Sequence, residues 1–300
     1  MRIVSLLPSA TDVVVALGLS RSLVGRTHEC DWPPGIEGVP IMTRDVLDTA
    51  SMSEREIDAA VGRSVHSGSS IYALDHEALA AAKPDLILTQ ELCEVCAVSY
   101  TDVMASARLM EGGPRVVSLE PHTIGEILDN VELVGRLTGT EEQARGVVAD
   151  ARARLEMVRR SVAGVGVVRT VCIEWLDPIY AAGHWVPEQV EVAGGVELIG
   201  KLGKPSRPVP WEQVRAGAPD AIVVLPCGLG IDRARADAAS LTDLPGWDSV
   251  PAVRAGRVWA VDGPSYFNRP GPRVIRGVEV LAHVLHDAGA VEPGEAVRIG

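Results

Sequence analysis

The chain has 300 residues, 47% of them hydrophobic and 23% charged, too many for one ordinary compact core and suited to two lobes of about 100–150 residues each. Its formal net charge of −12 opposes nucleic acid and anionic membrane surfaces, both of which demand a basic face; Arg152, Arg154, Arg159 and Arg160 alternate with apolar residues as the solvated side of a helix does. No apolar run is long enough to cross a bilayer, so neither a nucleic-acid partner nor membrane insertion is expected.

The opening Met1-Arg2-Ile3-Val4-Ser5-Leu6-Leu7 is too short an apolar run before Pro8 to act as a secretory signal, and the chain is expected to stay in the cytoplasm. Five cysteines, an odd number, fit a reducing compartment better than a disulfide framework. Residues 2–7 read as a buried strand, followed by a helix through Val13–Leu17 that Ser9 or Thr11 caps and Gly18 ends. A short strand at 23–26 leads into Thr27-His28-Glu29-Cys30-Asp31-Trp32-Pro33-Pro34. Helices at 54–61 and 77–82 precede strands at 84–89 and 115–119, and this alternation implies crossover units and a parallel sheet.

Residues 123–164 are helical, with apolar residues at helical spacing on either side of Thr138-Gly139-Thr140. The pattern then restarts with strands at 169–173, 219–225 and 257–261, a helix at 211–216 and a closing helix at 273–286. The halves echo each other: Lys83-Pro84-Asp85 before one strand parallels Ala218-Pro219-Asp220 before another, and Arg115–Pro121 parallels Arg257–Gly263. The expected fold is α/β, two Rossmann-like lobes with mostly parallel sheets joined by one long linking helix. The lobes are placed at 1–122 and 165–300, with the link at 123–164.

Ligands of open parallel sheets bind beyond the carboxyl ends of the strands, and the loops there hold a large share of the uncommon residues. His28, His122, His184, Cys30, Cys93, Cys96 and Cys227 lie on them, together with Trp32, Trp175, Trp185, Tyr266 and Phe267, in a chain only 4% aromatic. Aromatic faces in a cleft suit a large, flat, partly apolar small molecule. The candidate ligand-binding residues are therefore His28, Glu29, Trp32 and Tyr72 in the first half. In the second they are Glu174, Trp175, Asp177, His184, Trp185, Tyr266, Phe267 and Arg269.

Val4-Ser5-Leu6-Leu7-Pro8-Ser9-Ala10-Thr11-Asp12, Lys83-Pro84-Asp85-Leu86-Ile87, the linking helix and Arg257-Val258-Trp259-Ala260-Val261 give the chain a resemblance to a known family. Over nearly its whole length it resembles the helical-backbone (class III) substrate-binding proteins, and within them the vitamin B12 (cobalamin)-binding proteins. The resemblance implies a stiff linking helix, little hinge closure, a ligand in the cleft between lobes and an ABC transporter permease as partner. Relatives carry haem, siderophores or metal ions as well as cobalamin. His28–Pro33, Cys93-x-x-Cys96, Glu174–Pro178 and Gly183–Glu188 look similar to a cytoplasmic branch without a signal peptide. For a corrinoid, His28 or His184 is a candidate axial donor to cobalt. Trp32, Trp175, Trp185 and Tyr266 would pack on the macrocycle, and Arg269 and Arg273 would bond its amides or a phosphate.

Two other readings stand beside this one. Cys93, Cys96, Cys227, His28 and His184 are candidate ligands for a transition metal ion, with Glu174 and Asp177 orienting the histidines. Such a cluster would make the chain a metal-binding protein or a metal-dependent enzyme. Glu174, Asp177, His184 and Glu188 are close enough in sequence for acid–base work, but no nucleophile elbow, phosphate-binding Gly-rich loop or HExxH helix accompanies them. A pure interaction module would not need so many polar groups in its loops.

Overall fold

A computed structural model describes residues 1–47, 49–66, 71–90, 99–110 and 112–299. The chain divides into two compact units, one of residues 1–120 with 128–148 and the other of residues 121–127 with 149–300. In chain order the first unit contains β1 (Ile3–Ser5), α1 (Pro8–Ala16), β2 (Leu23–Gly25), β3 (Thr43–Asp45), α2 (Glu54–His66), β4 (Tyr72–Leu74), α3 (His76–Ala82), β5 (Leu86–Thr89), α4 (Tyr100–Leu109) and β6 (Arg115–Ser118). The helices α5 (Ile124–Thr138) and α6 (Glu141–Ser161) follow, and each gives residues to both units. Their turn holds Gly139 at φ 71°, and a Cβ on Gly135 would stand 2.5 Å from that of Ala144, so the two helices meet closely there.

The first unit's sheet is wholly parallel, in the order β2-β1-β5-β6. Ile3, Val4, Leu86, Ile87 and Leu88 are buried on both faces, which is why these strands read as apolar runs and not as alternation. Val4, Leu6, Met42, Leu79, Ile87 and Val103 form its core. A separate antiparallel ribbon pairs β3 with β4.

The second unit contains β7 (Val168–Leu176), β8 (Ile179–Ala181), α7 (Val186–Val192), β9 (Gly195–Glu197), β10 (Arg207–Pro208), α8 (Trp211–Ala216), β11 (Ala221–Val224), α9 (Ile231–Asp237), α10 (Pro251–Arg254), β12 (Val258–Val261), α11 (Gly263–Tyr266), α12 (Val274–His286) and β13 (Ala296–Arg298). Its parallel strands run β9-β7-β11-β12, the same order as in the first unit. Antiparallel strands extend this nucleus: β13 pairs β12, β8 pairs β7 and β10 pairs β8. One edge of β7 is shared, with β9 along residues 168–170 and β8 along residues 173–176. Between them the N–H of Cys172 donates to the Glu197 carboxylate at 2.9 Å, so a side chain fills the gap in the ladder.

The echo noted in the sequence is a structural repeat. Lys83 and Ala218 both adopt left-handed backbone, φ 42° and 43°, and each leads into Pro-Asp. Asp85 Oδ2 accepts the N–H of Arg2 at 2.7 Å, and Asp220 Oδ2 that of Arg169 at 3.1 Å. The two arginines also reach back to the same relative carbonyl, Arg2 to Ala82 at 2.8 Å and Arg169 to Gly217 at 2.6 Å. Each motif ties a helix end to the start of the sheet's central strand.

Candidate functional site

In the first unit, β2 runs into a loop without regular structure that carries His28, Glu29 and Trp32. His28 Nδ1 lies 2.7 Å from Thr43 Oγ1 and Nε2 lies 3.0 Å from Asp45 Oδ1, both acceptor-bearing side chains of β3. Both ring nitrogens are thereby engaged, and His28 can bind a metal only by giving up one of these bonds. Tyr72 of β4 donates its hydroxyl to Glu29 Oε1 at 2.9 Å and sets its ring 5.3 Å from the His28 ring, tilted by 54°. His28, Glu29 and Tyr72 therefore meet. Trp32 is 44% exposed. Cys30 is buried between the Thr11 and Thr27 hydroxyls, 3.0 and 3.3 Å from its sulfur. Cys93 and Cys96 lie outside the described residues.

In the second unit the centre is Glu174, near the carboxyl end of β7. Ser206 donates to Glu174 Oε2 at 2.6 Å and accepts the N–H of Gly183 at 3.0 Å. The Glu174 side chain keeps some solvent contact, but protein crowds its carboxyl, and this burial raises its pKa against the bonds from Ser206 and Gly183. Gly183 admits no side chain: a Cβ would stand 2.2 Å from the carbonyl oxygen of Lys204. The next residue, His184, is held at φ 50° by its N–H to Lys204 O at 2.7 Å and by Gly203 N–H to its own carbonyl at 2.9 Å. Its ring stands between His122, 6.0 Å away, and Trp185, 5.6 Å away, centroid to centroid. Burial, reinforced by His122, lowers its pKa and keeps the imidazole neutral near pH 7.

Other loops converge on the same sheet end. Cys227 donates its backbone N–H to Glu174 O at 3.1 Å, which fixes the loop after β11 beside the tip of β7. Asn268, in the loop after α11, donates to Leu225 O at 3.3 Å, and Gly263 approaches Pro226 so closely that a Cβ there would stand 2.7 Å from its carbonyl oxygen. Tyr266 is half-buried under the Arg273 guanidinium, 5.3 Å above its ring. Trp175, Asp177 and Arg269 are half-buried on or beside this edge.

Three side chains serve the fold instead of a ligand surface. Phe267 is 1% exposed and Trp185 5%, with Trp185 Nε1 donating to Phe267 O at 2.9 Å. These two expected ligand contacts are core residues, because α7 packs against the 263–274 segment through Trp185 and through Gln189, which donates to Tyr266 O and Val274 O. Glu188 accepts the N–H of Ile124 at 2.7 Å, capping α5 at its positive end. Among the described residues no group of three or more His, Cys, Asp or Glu is placed to hold a metal ion.

The sequence did not single out Ser206, Thr43 or Asp45. The two β3 residues sit in a three-residue strand and Ser206 in an aperiodic Gly/Pro/Lys segment. The signal for Ser206 was indirect: an acidic residue inside an apolar strand must find a donor.

Two α/β units built on parallel strands, extended by antiparallel ones in the second, with polar and aromatic side chains near the strands' carboxyl ends, define a protein of the two-unit substrate-binding class. Residues 3–264 match the periplasmic binding protein family, and the chain belongs to that family. It is similar to a vitamin B12-binding protein of Vibrio cholerae, 26% identical over 287 residues, covering 95% of this chain and 88% of the relative. It is also similar to the ABC transporter substrate-binding lipoprotein YvrC of Bacillus subtilis, 26% identical over 299 residues, covering 95% and 80%. A periplasmic heme-binding protein from Pseudomonas aeruginosa has the same fold, with a TM-score of 0.74 over 100% of this chain and 98% of the other, at 21% identity.

Proposed function

We propose that the chain is a substrate-binding protein for a cobalamin-type corrinoid and delivers it to an ABC transporter permease. The observation that carries this reading is the 26% identity with a vitamin B12-binding protein along 95% of the chain; the likeness to a heme-binding protein is one of fold. The loop chemistry supports it. A corrinoid has an apolar ring and a rim of carboxamides, which need ring faces together with hydrogen-bond acceptors and donors. Trp32, Tyr72, Trp175 and Tyr266 supply ring faces, and Glu29, Asp45 and Glu174 supply acceptors beside them. A ligand rimmed by carboxylates would meet these acidic groups with repulsion. The permease partner rests on the likeness to an ABC transporter substrate-binding lipoprotein.

The test is titration of the purified protein with hydroxocobalamin and, separately, with haemin, followed by visible absorbance and calorimetry. One corrinoid per chain with a Kd below about 1 μM is the expected result. Saturable haemin binding with no corrinoid binding overturns the proposal.

A further inference from the structure

The loop that bears His28, Glu29 and Trp32 has no strand or helix of its own, and a segment of that kind is ordinarily among the more mobile parts of a fold. Here it is built around one buried cation. Arg26 is 7% exposed. Its Nε donates to Ile36 O at 3.1 Å, its Nη1 to Thr27 O at 3.1 Å and Cys30 O at 3.0 Å, and its Nη2 to Glu37 O at 3.4 Å. These acceptors are main-chain carbonyls at both ends and at the first turn of the loop. The arginine's own backbone is fixed in turn, by its N–H to Pro40 O at 3.0 Å and by Met42 N–H to its carbonyl at 2.8 Å. The planar fork of a guanidinium can reach carbonyls in several directions at once, whereas an ammonium is a single point of charge.

We infer that Arg26 is a positioning residue, whose guanidinium holds the segment from Thr27 to Glu37 in the form that presents His28, Glu29 and Trp32 to ligand. The inference rests on the corrinoid reading only for the identity of that ligand. A loop already ordered before binding loses little freedom when it meets its ligand, so the effect of Arg26 appears in affinity without Arg26 touching the ligand.

The experiment compares the wild-type chain with Arg26→Ala and Arg26→Lys by hydrogen exchange and by hydroxocobalamin titration. In Arg26→Ala, amides of residues 27–37 lose protection by about tenfold or more, while those of β1 and β5 change by less than about twofold. Corrinoid affinity falls by about tenfold, and methylguanidinium at millimolar, non-denaturing concentration restores both loop protection and affinity where equal sodium chloride does not. Arg26→Lys keeps the charge and the fold and shows the same loop-confined loss to a smaller degree. Unchanged loop protection in both variants overturns the inference, as does wild-type affinity in a variant whose loop has lost protection. A wild-type chain that binds no corrinoid sinks the ligand reading, while the exchange and rescue measurements still decide whether Arg26 holds the loop.

Discussion

His184 carries the clearest local tension in the second unit. A non-glycine residue in the left-handed region costs about 1 kcal/mol, and His184 is kept there by hydrogen bonds from both of its peptide groups. Asparagine tolerates this conformation better. His184→Asn is therefore expected to leave the thermal midpoint unchanged or higher, while weakening hydroxocobalamin binding by about tenfold, as calorimetry would read. Equal loss of both stability and affinity would make His184 a purely structural residue. The same substitution tests the electrostatics. Because burial lowers the folded-state pKa, the unfolded chain takes up this proton first as pH falls below about 6.5, and folding stability is lost from there down to the folded pKa. The variant should lack that part of the slope below about pH 6.5. His184 and Glu174 stand out in the sequence because uncommon residues cluster there; the structure places Glu174 within β7, near its carboxyl end, and His184 in the turn after β8. Sequence alone could not separate Tyr266 from Phe267 one position on, or His184 from Trp185. Aromatic residues fill cores as readily as they line sites, and only the packing of α7 decides which ones turn inward.

The short motif before β5 and β11 belongs to the level of elements. It was legible because its parts are strict: a left-handed residue, a proline that cannot continue the helix, and an aspartate whose carboxylate takes the N–H opening the neighbouring strand. Since both bonds are solvent-accessible, Asp85→Ala and Asp220→Ala should each cost about 1 kcal/mol, measured by urea denaturation. The two sites share no partner, so the double variant should lose the sum to within about 0.5 kcal/mol. A markedly larger loss would mean that the repeats are coupled. The antiparallel additions β8, β10 and β13 were not legible. They are two or three residues long, too short to show a period, and Arg207-Pro208 even contains the residue least suited to a strand interior. Their places are set by pairing, β8 to β7, β10 to β8 and β13 to β12, not by local preference.

For the molecule as a whole, buried carboxyl groups pull its pH response in two directions. Arg276 donates to Glu295 at 2.9 and 2.6 Å and to Glu279 at 2.8 Å, and Arg154 donates to Glu279 at 2.7 Å. This network ties α6, α12 and the segment before β13 together. Burial alone would raise the pKa of Glu279 and Glu295, but the guanidinium bonds outweigh it and hold both below the ordinary carboxylate value. The stability they contribute is full above an unfolded pKa of about 4.3 and is lost as pH falls through their lower folded values. Glu174 and Glu197 behave in the opposite sense: burial raises their pKa, so holding them ionised weakens the fold increasingly as pH rises from about 4.3. Neutral substitutions separate the two classes. Glu279→Gln should destabilise the second unit by about 1–3 kcal/mol at pH 7, with the difference from wild type shrinking toward pH 3. Glu174→Gln keeps an acceptor for Ser206 and removes a crowded charge, so it should be neutral or stabilising at pH 7, again converging with wild type at low pH. Urea denaturation from pH 3 to 8 reads both. If Glu174→Gln proves strongly destabilising at pH 7, the charge of Glu174 is itself needed to hold Ser206 and the Gly183–His184 turn. If it proves stabilising but weakens corrinoid binding, an acid group has been kept in a crowded place at the expense of the fold, which is the behaviour of a residue retained for its ligand.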